Sequence, residues 1–143
     1  MPNRLKLVLY FSLLALVLTS VVARPVSYRE FFLNYVEVRS NRMREDVVEL
    51  SQLMDSLNNE KISRAEAVAR TEEMKSRADS YLARVLELRP PAREFEKYQS
   101  SVNSFVTWKN VLGLFVEGLI DMNNAKLDAA GVLLEHLDKD EKS

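Results

Sequence analysis

Few residues in this chain have the type and spacing that chemistry demands. Cysteine is absent, which removes disulfides, thiolate metal sites and a cysteine nucleophile together. The single histidine is His136. A carboxylate-bridged metal centre in a helical bundle needs inward-facing Glu residues and Glu-x-x-His pairs on facing helices, but the residue three before His136 is Leu133, and His136 projects off the apolar face of its own segment. A Ser–His nucleophile would need that same histidine, with no strand-to-helix elbow around any Ser. Glu72-Glu73 and Asp140-Glu141 read as solvated helix charges, and Gly113, Gly118 and Gly131 are too scattered to cradle a phosphate. The sequence thus names no catalytic residue, no cofactor-binding residue and no metal ligand, and it reads as a non-enzyme without a cofactor.

Lys109 is the residue that breaks its local pattern. It is the only charge between Lys97 and Glu117, inside the stretch Phe95–Ile120, in a chain that is 29% charged. It falls between Phe105 and Leu112 on an apolar helical arc. A buried ammonium must find a partner or give up its proton. Counting antiparallel layers from the connecting turns sets it near Thr71 and near the segment from Asp46 to Leu50, so Lys109, Asp46 and Thr71 are the expected polar layer, with Asp46 or Glu49 as the paired carboxylate. A ligand-binding or catalytic lysine is the other reading, because structural ion pairs and functional sites perturb a pKa alike.

The elements that must position these residues are helices. Gly and Pro are scarce, at three and four in 143 residues, while Ala, Leu, Glu, Lys and Arg are plentiful. From Ser27 to Leu57 the residues Tyr28, Phe32, Tyr35, Val36, Met43, Val47, Leu50, Met54 and Leu57 recur at helical steps, with Arg39 and Ser40 interrupting that face and Asp46 at its edge. Ser63 followed by Glu66 is a capping box that starts a second helix over Arg64–Leu88, with Ala67, Val68, Thr71, Met74, Ala78, Tyr81, Leu82 and Val85 inward and Arg64, Arg70, Glu73 and Arg77 solvated. Pro90-Pro91 stop it. The third helix carries Phe95, Tyr98, Val102, Phe105, Trp108, Leu112, Val116 and Leu119 on one arc and ends near Asp121–Asn124. A fourth, Ala125–Leu137, buries Leu127, Ala130, Leu133, Leu134 and Leu137, and a charged tail occupies 138–143.

A helix so poor in charge as the third must be mostly surrounded. Beyond its inward arc Val111, Leu114 and Phe115 are also apolar. Either the fourth helix and its neighbours cover them, or they form an interface with a second copy or another protein. Gly113 and Gly118, each costing about 1 kcal/mol relative to Ala in a helix, would permit close backbone approach there.

The segment Leu88-Arg89-Pro90-Pro91, followed by Phe95 and Tyr98 between a capped helix and a weakly charged one, resembles small exported helical-bundle proteins of prokaryotes with a Pro-Pro helix junction. The resemblance covers the second half of the chain. It implies a bundle outside the cytoplasm and no particular functional residue.

Arg4 and Lys6 precede the uncharged run Leu7–Ala23, which Arg24-Pro25 closes. That pattern is a targeting segment. As a helix it would be roughly 26 Å long, somewhat short of a hydrocarbon core of ~30 Å. Val21 and Ala23 suit a small-residue cleavage site, so residues 1–23 read as a cleaved signal peptide, or else as an anchor that contacts the membrane through residues 5–23. Either puts the domain outside the cytoplasm. The balance of 20 basic and 21 acidic residues argues against a nucleic-acid partner.

The expectation is therefore an all-α, up-down-up-down four-helix bundle over residues 26–137. Its expected role is structural or protein-interacting at the cell envelope, as a homo-oligomer or with a protein partner. The alternative is an extracytoplasmic binding or sensor domain for a small apolar molecule, held where the Ala-rich start of the second helix faces the aromatics of the third.

Overall fold

The computed structural model describes residues 26–140, with side chains through residue 137. Within that span the fold is all-α, built from four helices: α1 (Tyr28–Asn58), α2 (Arg64–Leu86), α3 (Phe95–Asp121) and α4 (Asn124–Asp140), with a single 3-10 turn at Ala92–Glu94. The run Leu7–Ala23 and residues 141–143 lie outside the described residues. Chain contacts divide the protein between Phe31 and Phe32.

The described part of the first unit is the start of α1. Ser27 and Glu30 bond reciprocally there: the Ser27 N–H donates to Glu30 Oε2 at 3.1 Å, and the Glu30 N–H donates to Ser27 Oγ at 3.2 Å. This is a complete capping box, which satisfies two amides that the helix itself cannot. The rings of Tyr28 and Phe31 lie 6.3 Å apart, and both side chains remain half exposed.

In the second unit α3 is the shared element, packing against both α2 and α4. From Phe105 onward it is buried on two faces, one carrying Phe105, Trp108, Leu112 and Leu119 and the other Val111, Phe115 and Gly118. Met43, Leu50 and Leu53 of α1, Ala67, Met74, Ala78 and Val85 of α2, and Ala130 and Leu137 of α4 join the same core. Ring pairs mark the seams, with Phe32 and Tyr98 at 6.0 Å and Tyr81 and Phe105 at 6.5 Å. The sequence order of the α2–α3 contacts, Asp79 with Lys109 and Tyr81 with Phe105, is what an antiparallel pair requires.

Two expectations change at the helix starts. The Ser63 cap is half of a box: the Glu66 N–H donates to Ser63 Oγ at 3.1 Å, while the Glu66 carboxylate turns to Arg70 at 2.7 Å instead of returning to Ser63. Phe95, expected inside, is half exposed, and Glu94 is buried in its place. The 3-10 turn, closed by a bond from the Glu94 N–H to the Pro91 carbonyl at 2.8 Å, advances fewer residues per turn than an α-helix and so rotates which side chain faces inward. At the other end α4 continues past Leu137 to Asp140.

Both α1 and α3 end on a left-handed residue that is not glycine: Glu60 at φ 57 and Met122 at φ 53. The N–H of the residue after the left-handed one then reaches back over the last turn, Lys61 to the Ser56 carbonyl and Asn123 to the Gly118 carbonyl, both at 2.9 Å. These are Schellman-type ends. Asn123 goes on to accept the Lys126 N–H at 3.3 Å, capping α4. Lys126 Nζ then ties α4 to the end of α3 through Glu117 at 2.9 Å and Asp121 at 2.8 Å. Gly118 is where the two helices touch most closely, since a Cβ on it would lie 2.7 Å from Leu127 Cδ2 and 3.2 Å from the Leu127 backbone nitrogen.

A non-glycine residue held in the left-handed region costs roughly 1 kcal/mol. Met122 is 74% exposed, so exchanging it sacrifices little apolar burial. Met122→Gly is expected to raise unfolding stability by about 1 kcal/mol, and Glu60→Gly by a similar amount, each read as a shifted denaturation midpoint in urea. An unchanged or lowered midpoint in both would show that these turns are not strained.

Candidate functional site

The residues singled out by sequence separate into different places. Lys109 Nζ pairs with Asp79 Oδ1 at 2.7 Å, and the two side chains are 44% and 46% exposed. The contact is ionic, with an angle outside hydrogen-bonding geometry. Lys109 therefore sits at the border of α2 and α3, facing outward over a groove lined by Lys75, Asn110, Gly113, Leu114, Glu117 and Leu133. The layer expected from Lys109, Asp46 and Thr71 is not assembled. Counting layers from the turns gave the height of Lys109 but not its rotation about the α3 axis, and that rotation swings it toward Asp79 and away from α1.

Asp46 is the carboxylate buried between α1 and α2, its side chain 7% exposed, and its cation is Arg77 of α2. Arg77 donates from Nε at 3.1 Å and from Nη2 at 2.8 Å to the same Asp46 oxygen, and Nη2 also donates to Glu49 at 2.9 Å. The other Asp46 oxygen is buried without a hydrogen-bond partner among the described residues. Burial pushes the Asp46 carboxyl above its ordinary value of 3.8, while the hydrogen bond and charge of Arg77 pull against that shift. The Arg77 guanidinium is held more firmly protonated by the hydrogen bonds it donates to Asp46. Thr71, fully buried, takes no part in this pair, because its hydroxyl donates to the Ala67 carbonyl one turn back at 2.7 Å.

The charge pattern of the sequence sets Arg77 on the solvated face, yet the sequence also carries a signal for the pair. Asp46 stands at helical spacing between Met43, Leu50 and Leu53, and a carboxylate on a buried stripe requires a cation from the facing helix.

The apolar residues read as a candidate interface also divide. Val111 and Phe115 are 1% and 5% exposed within the chain, taken up by the core that α3 shares with its neighbours. Leu114 is partly buried and reaches the groove beside Lys109. His136 is exposed on α4, and among the described residues no group of three His, Cys, Asp or Glu could hold a metal ion. Trp108 is fully buried, and its indole N–H has no acceptor among the described residues.

The two ion pairs respond differently to perturbation. Lys109→Met is expected to cost less than about 1 kcal/mol, as for exposed pairs in general, and a loss of several kcal/mol in a denaturation experiment would restore Lys109 to the interior. For Asp46, a folded pKa above the unfolded value means the proton is held more tightly in the folded state. Its contribution to stability is fully present below the unfolded pKa and is lost as pH rises through the folded one. Wild type should therefore gain stability relative to Asp46→Asn as pH falls from neutrality toward 3.8. A difference between the two proteins that stays constant over that range would contradict the assignment.

No protein-family model matches the chain, and no match to it was found among curated proteins or among solved structures, so the Pro-Pro junction brings no family with it.

Proposed function

We propose that this chain is an exported interaction module of the cell envelope that works by binding a protein partner or a second copy of itself. The observation that carries this reading is the join between the leader and the bundle. The uncharged run Leu7–Ala23 follows Arg4 and Lys6, and the residues immediately after it present Val26, Tyr28 and Phe31 at 66%, 52% and 47% exposure. Aromatic side chains directly beyond an apolar run suit a membrane–water interface. Among the described residues no helix is long and apolar enough to cross a membrane, so on this reading residues 1–23 supply both the export signal and any attachment.

The interior supports binding at the surface over chemistry within. The Asp46–Arg77 pair spans two helices and the Thr71 hydroxyl bonds its own helix backbone, both structural uses of polar groups. The runner-up, a small-molecule binding or sensor domain, is favoured by the fully buried Trp108 indole, whose N–H has no acceptor among the described residues. Against it, four surface grooves are lined by residues other than Ala67, Phe105 and Trp108.

Export is tested by fusing the full chain to an alkaline phosphatase that is active only outside the cytoplasm. Activity is expected, and intact-mass analysis should show the chain beginning at Arg24 after loss of residues 1–23. An inactive fusion would sink the envelope reading. An active fusion that retains Met1–Ala23 in the membrane would make the segment an anchor.

A further inference from the structure

Between α1 and α2 lies a groove of ≈ 360 Å³ whose walls carry Arg39 and Arg42 from one helix and Arg77, Ser80, Tyr81 and Arg84 from the other. No carboxylate lines it. We propose that this groove is a binding site for a phosphate group, as a phosphorylated small molecule or a phospholipid headgroup.

Two of the four guanidinium groups are already fixed in place. Arg77 is clamped by Asp46 and Glu49. Arg39 is stacked 3.3 Å above the ring of Tyr35, and its Nη1 donates to the Tyr35 carbonyl at 3.0 Å. Its Nε is buried with no acceptor among the described residues. A guanidinium held this way loses little side-chain entropy when a ligand arrives. Arg42 and Arg84 are the adaptable pair. Arg42 is tied only to the exposed Glu45 at 3.0 Å, and Arg84 is exposed near the end of α2 with no carboxylate partner among the described residues.

The arrangement selects phosphate over carboxylate. One guanidinium fork saturates the two oxygens of a carboxylate, whereas a phosphate offers three or more oxygens to forks arriving from different directions. The guanidinium groups here come from two helices, and Ser80 adds a hydroxyl among the lining residues. The volume falls within the range of small-ligand sites, about 300–1,000 Å³. This inference does not rest on the envelope reading, because the groove is the same in any compartment.

The test uses the full chain and sodium pyrophosphate as probe, followed through the Nε–H resonances of the arginines. Saturable binding with Kd of about 1 mM or tighter is expected, with the Arg39 resonance among those that shift. The double variant Arg42→Gln/Arg84→Gln, both at exposed positions, should bind about tenfold more weakly. A charge-matched control on α2, Arg64→Gln/Arg70→Gln, should leave the affinity unchanged. In parallel, binding to phosphatidylglycerol vesicles is compared with binding to phosphatidylcholine vesicles. An excess on the former that the double variant loses identifies a lipid headgroup, and pyrophosphate binding without that excess identifies a soluble phosphate compound. If neither probe binds, or if the control weakens binding as much as the double variant, the site does not exist and the arginines are a diffuse surface charge.

Discussion

From Phe105 onward α3 is apolar on two sides and leaves only a narrow strip to water, and much of the fold follows from covering that half. Its own sequence is a poor helix former: Val102, Val106, Thr107, Val111 and Val116 are β-branched, and Gly113 and Gly118 interrupt it. Tertiary burial must therefore hold it helical. Trp108, Phe105 and Leu112 are at most 1% exposed, and side chains of this size contribute about 2–3 kcal/mol each when fully buried. A helix apolar on two sides needs a neighbour on each, which is why α2 and α4 both pack against it and why Val111 and Phe115 are internal.

The interior admits polar groups only under strict accounting. Thr71 spends its hydroxyl on its own helix, which lets it act as a small apolar filler. Asp46 is the more costly guest. Arg77 compensates it on one oxygen only, and the second oxygen has no partner among the described residues. Such a pair is weak evidence of stability, since apolar residues of the same volume often serve as well. What it does provide is register, because Arg77 can meet Asp46 and Glu49 together at only one sliding position of α2 along α1.

Much of the helical layout was legible in the sequence because its signals are local. Pro90-Pro91 ends one helix, Ser63 starts another, and the stripe periodicities place Phe32, Met43, Leu50, Ala67, Met74, Trp108 and Leu112 inside. The left-handed ends at Glu60 and Met122 were hidden because neither is glycine, the residue that ordinarily marks such a turn. The Ser27–Glu30 box has the same S-x-x-E form as Ser63–Glu66 and was as readable. Cross-helix partners were not legible. Lys109 with Asp79, Asp46 with Arg77 and the arginine groove all depend on the rotation of one helix against another, and a stripe more than one residue wide leaves that rotation open.

The tie between α3 and α4 is short in sequence: Glu117 and Lys126 are 9 residues apart, whereas Asp46 and Arg77 are 31 apart. Closing the longer loop costs about 1 kcal/mol more in chain entropy. The Gly118–Leu127 contact belongs to the shorter loop and needs no side chain from either of the first two helices. On entropy alone, the C-terminal hairpin is the part of the molecule that closes first. On the same ground the pairing of Arg77 with Asp46, beside the arginine-lined groove, closes after the α3–α4 tie.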